Sequence, residues 1–316
     1  MGIEKITERQ IIGTFYNTLK QNVGAEWIDA VSNYFTSDQA SEEYAWLGQS
    51  PIMQEWIGGR NAKGFRENGL TIANKHYEAT VEYLVKDLRR DKTGQVMARI
   101  QELARRTNAH WASLLSTLIL NGEATTCYDG QYFFDTDHAE GDSGTQSNDL
   151  SIDISDFAVA TAGTTTAPSV AEMQFAIATC IAAIVGFKDD QGQPMNEDAN
   201  SFVVMVPTVF MNVAMQAVAT PVQVAETQSA LQALKSVFKI RVVVNPRLTW
   251  TTKLCVFRDD SYIKSFIRQE EMGVSLKVKG AGSEYEFDND AHQYGVDTWR
   301  NVGYGYWQNC CLGTLA

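Results

Sequence analysis

Apolar residues recur at steps of three and four through residues 93–121, where Val96, Ile100, Leu103, Thr107, Trp111, Leu114 and Leu118 fall on one stripe. This spacing predicts the longest helix of the chain, roughly 40 Å at 1.5 Å per residue. Arg99, Arg105 and Arg106 lie off the stripe, on the side expected to face water. Thr93 can cap the start with Gly94 just inside it, and Gly122 stands where a left-handed C-terminal cap is expected. An ordinary core helix has the same periodicity, but the length suits a strut along which other parts pack. Two shorter helical patterns precede it. Ile11, Ile12, Phe15 and Leu19 form one apolar face in residues 7–21, and Trp27, Ile28, Val31 and Phe35 another in residues 25–35. Two short helices cannot bury such faces alone. They are expected to dock either on the chain's own body or on a neighbouring subunit.

Between these patterns and the long helix, periodicity gives way to glycine and charge. Residues 58–69, GGRNAKGFRENG, hold Gly58, Gly59, Gly64 and Gly69 with Arg60, Lys63 and Arg66. The alternating stretch LTIANKHYEATVEYLV follows, so residues 48–80 read as a long hairpin with a flexible cationic tip. A solvated loop is the plainer meaning of such a cluster. Residues 83–85 close a strand, and 87–92 form a charged turn into the long helix.

After that helix, residues 125–151 hold few aliphatics and many turn formers and are expected to be irregular. The small-residue stretch 158–168 reads as a crossing into a second lobe. Residues 169–245 alternate an Ala-rich helix from Val170, an acidic loop, a buried strand at 202–206, a helix after Pro207, a further helix to about Ser236, and a strand at 240–244. That order suggests a small sheet covered by helices. Residues 247–316 are β-rich, with strands expected at 250–257, 262–267, 274–279, 285–287 and 298–312. The last, aromatic-rich run is expected to return to the long helix.

Composition narrows the functional classes. The net charge of −12 argues against a sequence-reading nucleic-acid binder, yet suits a protein that sits beside DNA without sticking to it. On such a chain a cationic finger finds a ready partner in an acidic surface of another copy. The start MGIEKITERQ has no apolar core of a signal peptide, and Ile6 breaks the myristoylation pattern at Gly2. No apolar run reaches membrane-span length. Cys127, Cys180, Cys255, Cys310 and Cys311 form no CxxC pair and read as reduced, mostly buried thiols.

No phosphate-binding glycine loop, nucleophile elbow or zinc signature occurs. The densest polar constellation is Asp129, Asp135, Asp137, His138, Glu140 and Asp142, whose oxygens and imidazole could hold a divalent metal. A metal-dependent hydrolase using Asp135, Asp137 and His138 is therefore one reading. Its spacing matches no calcium loop, and carboxylates that cap backbone amides in a turn-rich segment are the better reading. No catalytic, cofactor-binding or metal residue is assigned, and the features point to assembly rather than catalysis.

The stretch NKHYEATVEYLVKDLRRDKTGQ, the long helix ending LILNGE, and YDGQYFFDTDHAEGDSGTQSNDLS together resemble the major head (capsid) subunit of Mu-like phages and prophages. Asn74, Lys75, Tyr77, Glu78, Tyr128, Asp129, Gly130, Phe133, Phe134, His138 and Asn148 carry the resemblance. It implies a Hong Kong 97-like α+β capsid fold: an N-terminal arm (1–47), an extended loop (48–80), a peripheral domain (81–167) with its spine helix (93–121), an axial domain (168–245) and return strands (246–316). It further implies a non-enzymatic subunit without cofactor, forming hexamers and pentamers of an icosahedral shell around double-stranded DNA. Arg60, Lys63 and Arg66 would then lie at the subunit interface. A separate scaffolding protein, a portal and non-specifically held DNA are the expected partners. Assembly is expected in the bacterial cytoplasm, without a membrane. An encapsulin-like compartment shares the fold and is the neighbouring alternative. Some members of the fold class cross-link loop lysines; Lys63 and Lys75 are in the right region, but no positioned asparagine or carboxylate accompanies them.

Overall fold

The computed structural model describes residues 7–21, 24–44, 70–90, 94–155, 162–219, 223–224, 227–228 and 237–316. The long helix, α4 (Gln95–Leu120), follows α1 (Glu8–Gln21), α2 (Trp27–Val31), β1 (Ser32–Thr36), β2 (Ser41–Tyr44), β3 (Leu70–Ala73), β4 (Lys75–Leu84) and α3 (Val85–Arg90). After it come β5 (Asp149–Ile152), α5 (Val170–Gly186), β6 (Ser201–Val206), α6 (Met211–Ala219), β7 (Gln223–Val224), β8 (Thr227–Gln228) and β9 (Lys239–Val244). The chain ends with β10 (Lys253–Arg258), β11 (Phe266–Lys279), α7 (Glu284–Asn289), β12 (Ala291–Tyr304) and β13 (Cys310–Leu315). Among the described residues no helix is long and apolar enough to cross a membrane.

One sheet runs β1-β11-β12-β4, the other β5-β13-β10-β6-β9. The first is built on the antiparallel ribbon β11–β12, paired from Phe266↔Tyr304 to Lys279↔Gln293. Alternate residues of β12 face α4, so Tyr294 and Val296 pack with Val96, Ile100, Leu103 and Ala104. The arm helix α1 closes this cluster with Ile11 and Phe15, and Asn108 Nδ2 donates to Leu19 O at its C-terminal end (2.8 Å). The first of the two arm faces is thus buried on the chain's own body. The second sheet carries the larger core. Phe202 to Val206 and Leu254 to Phe257 are fully buried, as in strands covered on both faces. Helix α5 covers it and starts with a capping box in which Ser169 and Glu172 exchange bonds.

Helix α4 feeds both clusters, and this bends the expected stripe. Val96, Ile100, Leu103 and Thr107 are buried as the spacing predicts, but beyond them the buried set moves one step round to Ala112, Leu115, Ser116 and Ile119. Trp111, Leu114 and Leu118 stay half-buried, because the second half of the helix meets a different core on a different side. Arg99, Arg105 and Arg106 are exposed as expected. Gly94, not Thr93, occupies the N-cap position, with a left-handed φ of 72°. Gly122 is not left-handed. It is required by close approach, since a Cβ there would collide with the Phe134 ring.

Several sequence expectations shift. Residues 25–35 are helical only through Val31; β1 then pairs in parallel with β11, which satisfies the backbone of Ser32 to Thr36. The expected turn at 87–92 contributes to helix α3. Gly273 does not separate two strands; β11 continues through it with register irregularities between Glu270 and Ser275. The expected strand at 285–287 is helical, since Ser283 Oγ accepts from Glu286 N and caps α7. The run at 298–312 divides at a single 3-10 turn, Trp307–Asn309.

Candidate functional site

Arg60, Lys63 and Arg66 lie outside the described residues. The root of their loop does not. Antiparallel β2 and β3 pair from Ser41↔Ala73 to Tyr44↔Leu70 and bracket residues 45–69. This root is fastened to the β11–β12 ribbon by side chains. Buried Gln269 accepts from Tyr44 Oη (2.8 Å) and donates to Asn74 Oδ1 (2.8 Å) and Ile72 O (3.1 Å). Asn74 in turn donates to Gln39 O (2.7 Å), and Asn301 donates to Ala73 O (2.7 Å). Ile72 lies over Gly303, where any side chain would strike it. Lys75 opens β4 opposite Arg300 and is exposed.

The turn-rich segment is irregular, as its composition predicts, but not loose. His138 is fully buried and stacks on Trp307, with ring centroids 4.0 Å apart and planes 10° from parallel. Its Nδ1 lies 2.6 Å from Asp129 Oδ2, and its Nε2 3.2 Å from Asn148 Oδ1. Asn148 Nδ2 donates to Phe133 O (2.8 Å), while its Oδ1 already accepts from Asp135 N (2.9 Å). That oxygen is therefore an acceptor, and Nε2 must carry a hydrogen. On the other side, Asp129 Oδ1 accepts from Cys127 Sγ (3.0 Å) and Gln131 N (3.1 Å). Burial would raise the Asp129 carboxyl, but the hydrogen bonds from His138 and Cys127 outweigh it and hold the group below its ordinary value. The result is a buried histidine–carboxylate pair with its hydrogen-bonding positions filled. Tyr128 extends the knot, donating to Glu140 (3.1 Å) and accepting from Gln308 Nε2 (2.9 Å).

The same geometry bears on metal binding. Cys127, Asp129 and His138 do converge, but their ligand atoms are already hydrogen-bonded to each other at 2.6 and 3.0 Å. Around a tetrahedral ion with bonds of about 2.0 Å, nitrogen and oxygen would stand about 3.3 Å apart. At 2.6 Å the His138 and Asp129 atoms stand closer than that, at the distance of a hydrogen-bonded pair. The sequence-suggested hydrolase trio does not assemble, because both ring nitrogens of His138 are committed to Asp129 and Asn148. Asp137 instead bonds to Asp135, which raises its carboxyl, and Asp135 caps Tyr132 N (3.1 Å) and Thr136 N (2.7 Å). Capping of backbone amides is the role the turn composition suggested. The five cysteines are free and buried, and burial pushes the Cys127, Cys255, Cys310 and Cys311 thiols upward, away from the nucleophilic thiolate.

A second polar feature lies between α4 and the β12–β4 edge. A cleft of about 180 Å³ is walled by Tyr77, Leu103, His110 and Val296, with Arg106 and Arg300 also on its lining. Sequence reading missed Arg300. Its signal was the alternation Tyr294, Val296, Thr298, Arg300, which sets a guanidinium on the inward face of a strand. It also missed Trp307 and Gln308, which stood within an aromatic run read only as packing.

A family model described as the Mu-like prophage major head subunit gpT matches residues 8–160 and 241–313. The Mu-like prophage FluMu major head subunit of Haemophilus influenzae is 40% identical over 111 residues, 35% of this chain and 36% of that protein. The major capsid protein of Escherichia phage Mu is 35% identical over 116 residues, 35% of this chain and 38% of that protein. These matches span little more than a third of the two relatives. Among solved structures, the procapsid of bacteriophage JBD30 aligns over 98% of this chain and 77% of its own, with TM-score 0.55 and 23% identity. The capsid of cyanophage P-SCSP1u aligns over 90% and 86%, with TM-score 0.54 and 11% identity. The fold is thus the Hong Kong 97-like α+β capsid fold, and the family is one of structural head proteins rather than enzymes. With its family model covering well over half of the sequence, the chain belongs to the Mu-like prophage major head subunit gpT family.

Proposed function

We propose that this chain is the repeating unit of a closed icosahedral shell, arranged in hexamers and pentamers around the double-stranded DNA of a tailed phage. One observation carries the reading: the β2–β3 root, fastened to the β11–β12 ribbon, brackets residues 45–69, which include three of the chain's cations in a protein of net charge −12. On this reading Arg60, Lys63 and Arg66 reach an acidic surface of the adjacent copy. The arm (1–47), extended loop (48–80), peripheral domain (81–167), axial domain (168–245) and return strands (246–316) are the working parts. Scaffolding protein and portal are separate partners. DNA is enclosed without sequence-specific contact, in keeping with the acidic total. Assembly takes place in the bacterial cytoplasm and the product is the virion capsid.

Negative-stain electron microscopy with sedimentation tests the reading. Closed shells, or rings of five and six, are expected. A monomer or dimer that persists at every concentration, and also when co-expressed with its scaffold, overturns it. Simultaneous charge reversal of Arg60, Lys63 and Arg66 is expected to weaken assembly and leave the circular dichroism of the subunit unchanged. Normal shells at every ionic strength would remove the loop from the mechanism.

A further inference from the structure

Arg300 is 2% exposed, yet its guanidinium makes one hydrogen bond among the described residues, from Nη2 to Thr107 O (3.0 Å). Its Nε is buried without a partner. The neighbouring Arg268 differs, because Asp29 pairs with it. Glu270, directly across the ladder from Arg300, has its Oε2 taken by Tyr34 Oη. Both guanidinium groups lie against Trp111, Arg300 at 4.7 Å and Arg268 at 5.7 Å from the ring centroid. This ring contact softens the burial of charge but supplies no anion. The surroundings register the excess. Burial and the nearby Arg300 and Arg247 push His110 down to about 4, so it stays neutral beside the cleft, and burial lowers Arg300 itself to about 10 although the charge of Glu270 pulls the other way. A buried cation with no carboxylate in ion-pair contact is costly, and this one lines an open cleft walled by Tyr77, Leu103, His110 and Val296.

We infer that the cleft between α4 and the β12–β4 edge is a docking site for an acidic side chain of a second copy of this chain, whose carboxylate pairs with Arg300. This inference rests on the shell reading. A second copy is the favoured source for two reasons. Each chain brings 38 acidic residues to its neighbours. The cleft's mainly apolar and aromatic walls, with Arg106 and Arg300 on the lining, suit one carboxylate on a short stem, while Glu78 on the same lining adds to the repulsion of a polyanionic nucleic-acid backbone. Arg300 would then be satisfied only on assembly, and its bond would contribute to affinity between copies rather than to the fold of one.

The test is Arg300→Met in the full chain, read in two ways. The subunit's melting midpoint is expected to stay unchanged or to rise, since an unpaired buried charge has gone. The concentration needed for assembly is expected to rise at least tenfold. A lowered midpoint with assembly at the wild-type concentration would make Arg300 an internal structural residue and overturn the inference. Should the variant not fold, cryo-electron microscopy of wild-type shells decides. A neighbour's carboxylate oxygen within hydrogen-bond reach of the Arg300 guanidinium supports the inference. A cleft that is empty, filled by the same chain's own loop, or occupied by nucleic acid overturns it. Wild-type protein that never assembles removes the shell reading along with this one. Wild-type shells with the cleft unfilled by a neighbour remove this one alone.

Discussion

Two buried basic side chains in this protein are treated in opposite ways. His138 sits among Asp129, Asn148 and Trp307, with a hydrogen-bond partner at each nitrogen and an aromatic face against its ring. Arg300 is nearly as buried, but it has a single carbonyl partner, a shared aromatic face and no carboxylate in ion-pair contact among the described residues. The first arrangement is closed at its histidine: both ring nitrogens of His138 are answered within the chain, so its energy belongs to folding. The second is open, on the wall of a cleft. Sites of the first kind hold a subunit together. Sites of the second kind cost stability in the isolated chain and recover it when another surface supplies the missing charge.

The sharpest way to break this contrast is to remove one member of the closed pair. His138→Ala leaves Asp129 buried without its hydrogen-bond partner and opens a void against Trp307. A loss of about 3–5 kcal/mol is expected in urea or thermal unfolding of the subunit. A loss below about 1 kcal/mol would mean that the pair is not what fastens the turn-rich segment. Trp111→Ala acts between the two sites. The ring is half-buried rather than enclosed, so the expected loss is about 2 kcal/mol, below the figure for a fully buried tryptophan. Part of that loss is contact with Arg268 and Arg300. Pairing Trp111→Ala with Arg300→Met in a double-mutant cycle isolates the contact, and a coupling of zero would show that the ring does not support the cation.

The larger outline of the molecule was legible because it rests on local periodicity. Helix α4, the alternation of helix and strand from Val170 to Ala219 and the β-rich stretch 247–316 follow from runs of apolar residues at fixed spacing, while the helix expected up to about Ser236 lies outside the described residues. The errors came where a distant partner overrode local pattern. Ser32 to Thr36 became a strand because β11 offered its backbone, and Trp111, Leu114 and Leu118 lost their place on the buried stripe because α4 changes partners halfway along. Asp129 and His138 stand out in the sequence as part of a polar cluster, and Asn148 only as part of a family-like stretch. Their pairing could not be read, since it depends on Trp307 and Gln308, which lie far along the chain. Arg300 was invisible for a related reason: an arginine in a strand looks solvated until the helix across from it is placed.

The smallest expected effect lies in acid. Hydrogen bonds from His138 and Cys127 overcome the cost of burial and hold the Asp129 carboxyl below its ordinary value, which in the unfolded chain it regains. A group depressed in the folded state contributes stability above its unfolded value, and that contribution is lost as pH falls through the folded value. Subunit stability is therefore expected to decline below the ordinary carboxylate range. The decline should be shallower in His138→Ala, where the partner that lowers Asp129 has gone. Chemical denaturation at a series of acid pH values reads the two slopes. Parallel slopes would place the acid sensitivity in other carboxylates and leave the closed pair without a part in it. Arg300→Met should run parallel to the wild type, since Arg300 has no carboxylate in ion-pair contact among the described residues to lose to protonation. A shallower slope in that variant would mean that Arg300 already has an acidic partner within its own chain, and the distinction between the closed site and the open one would fall.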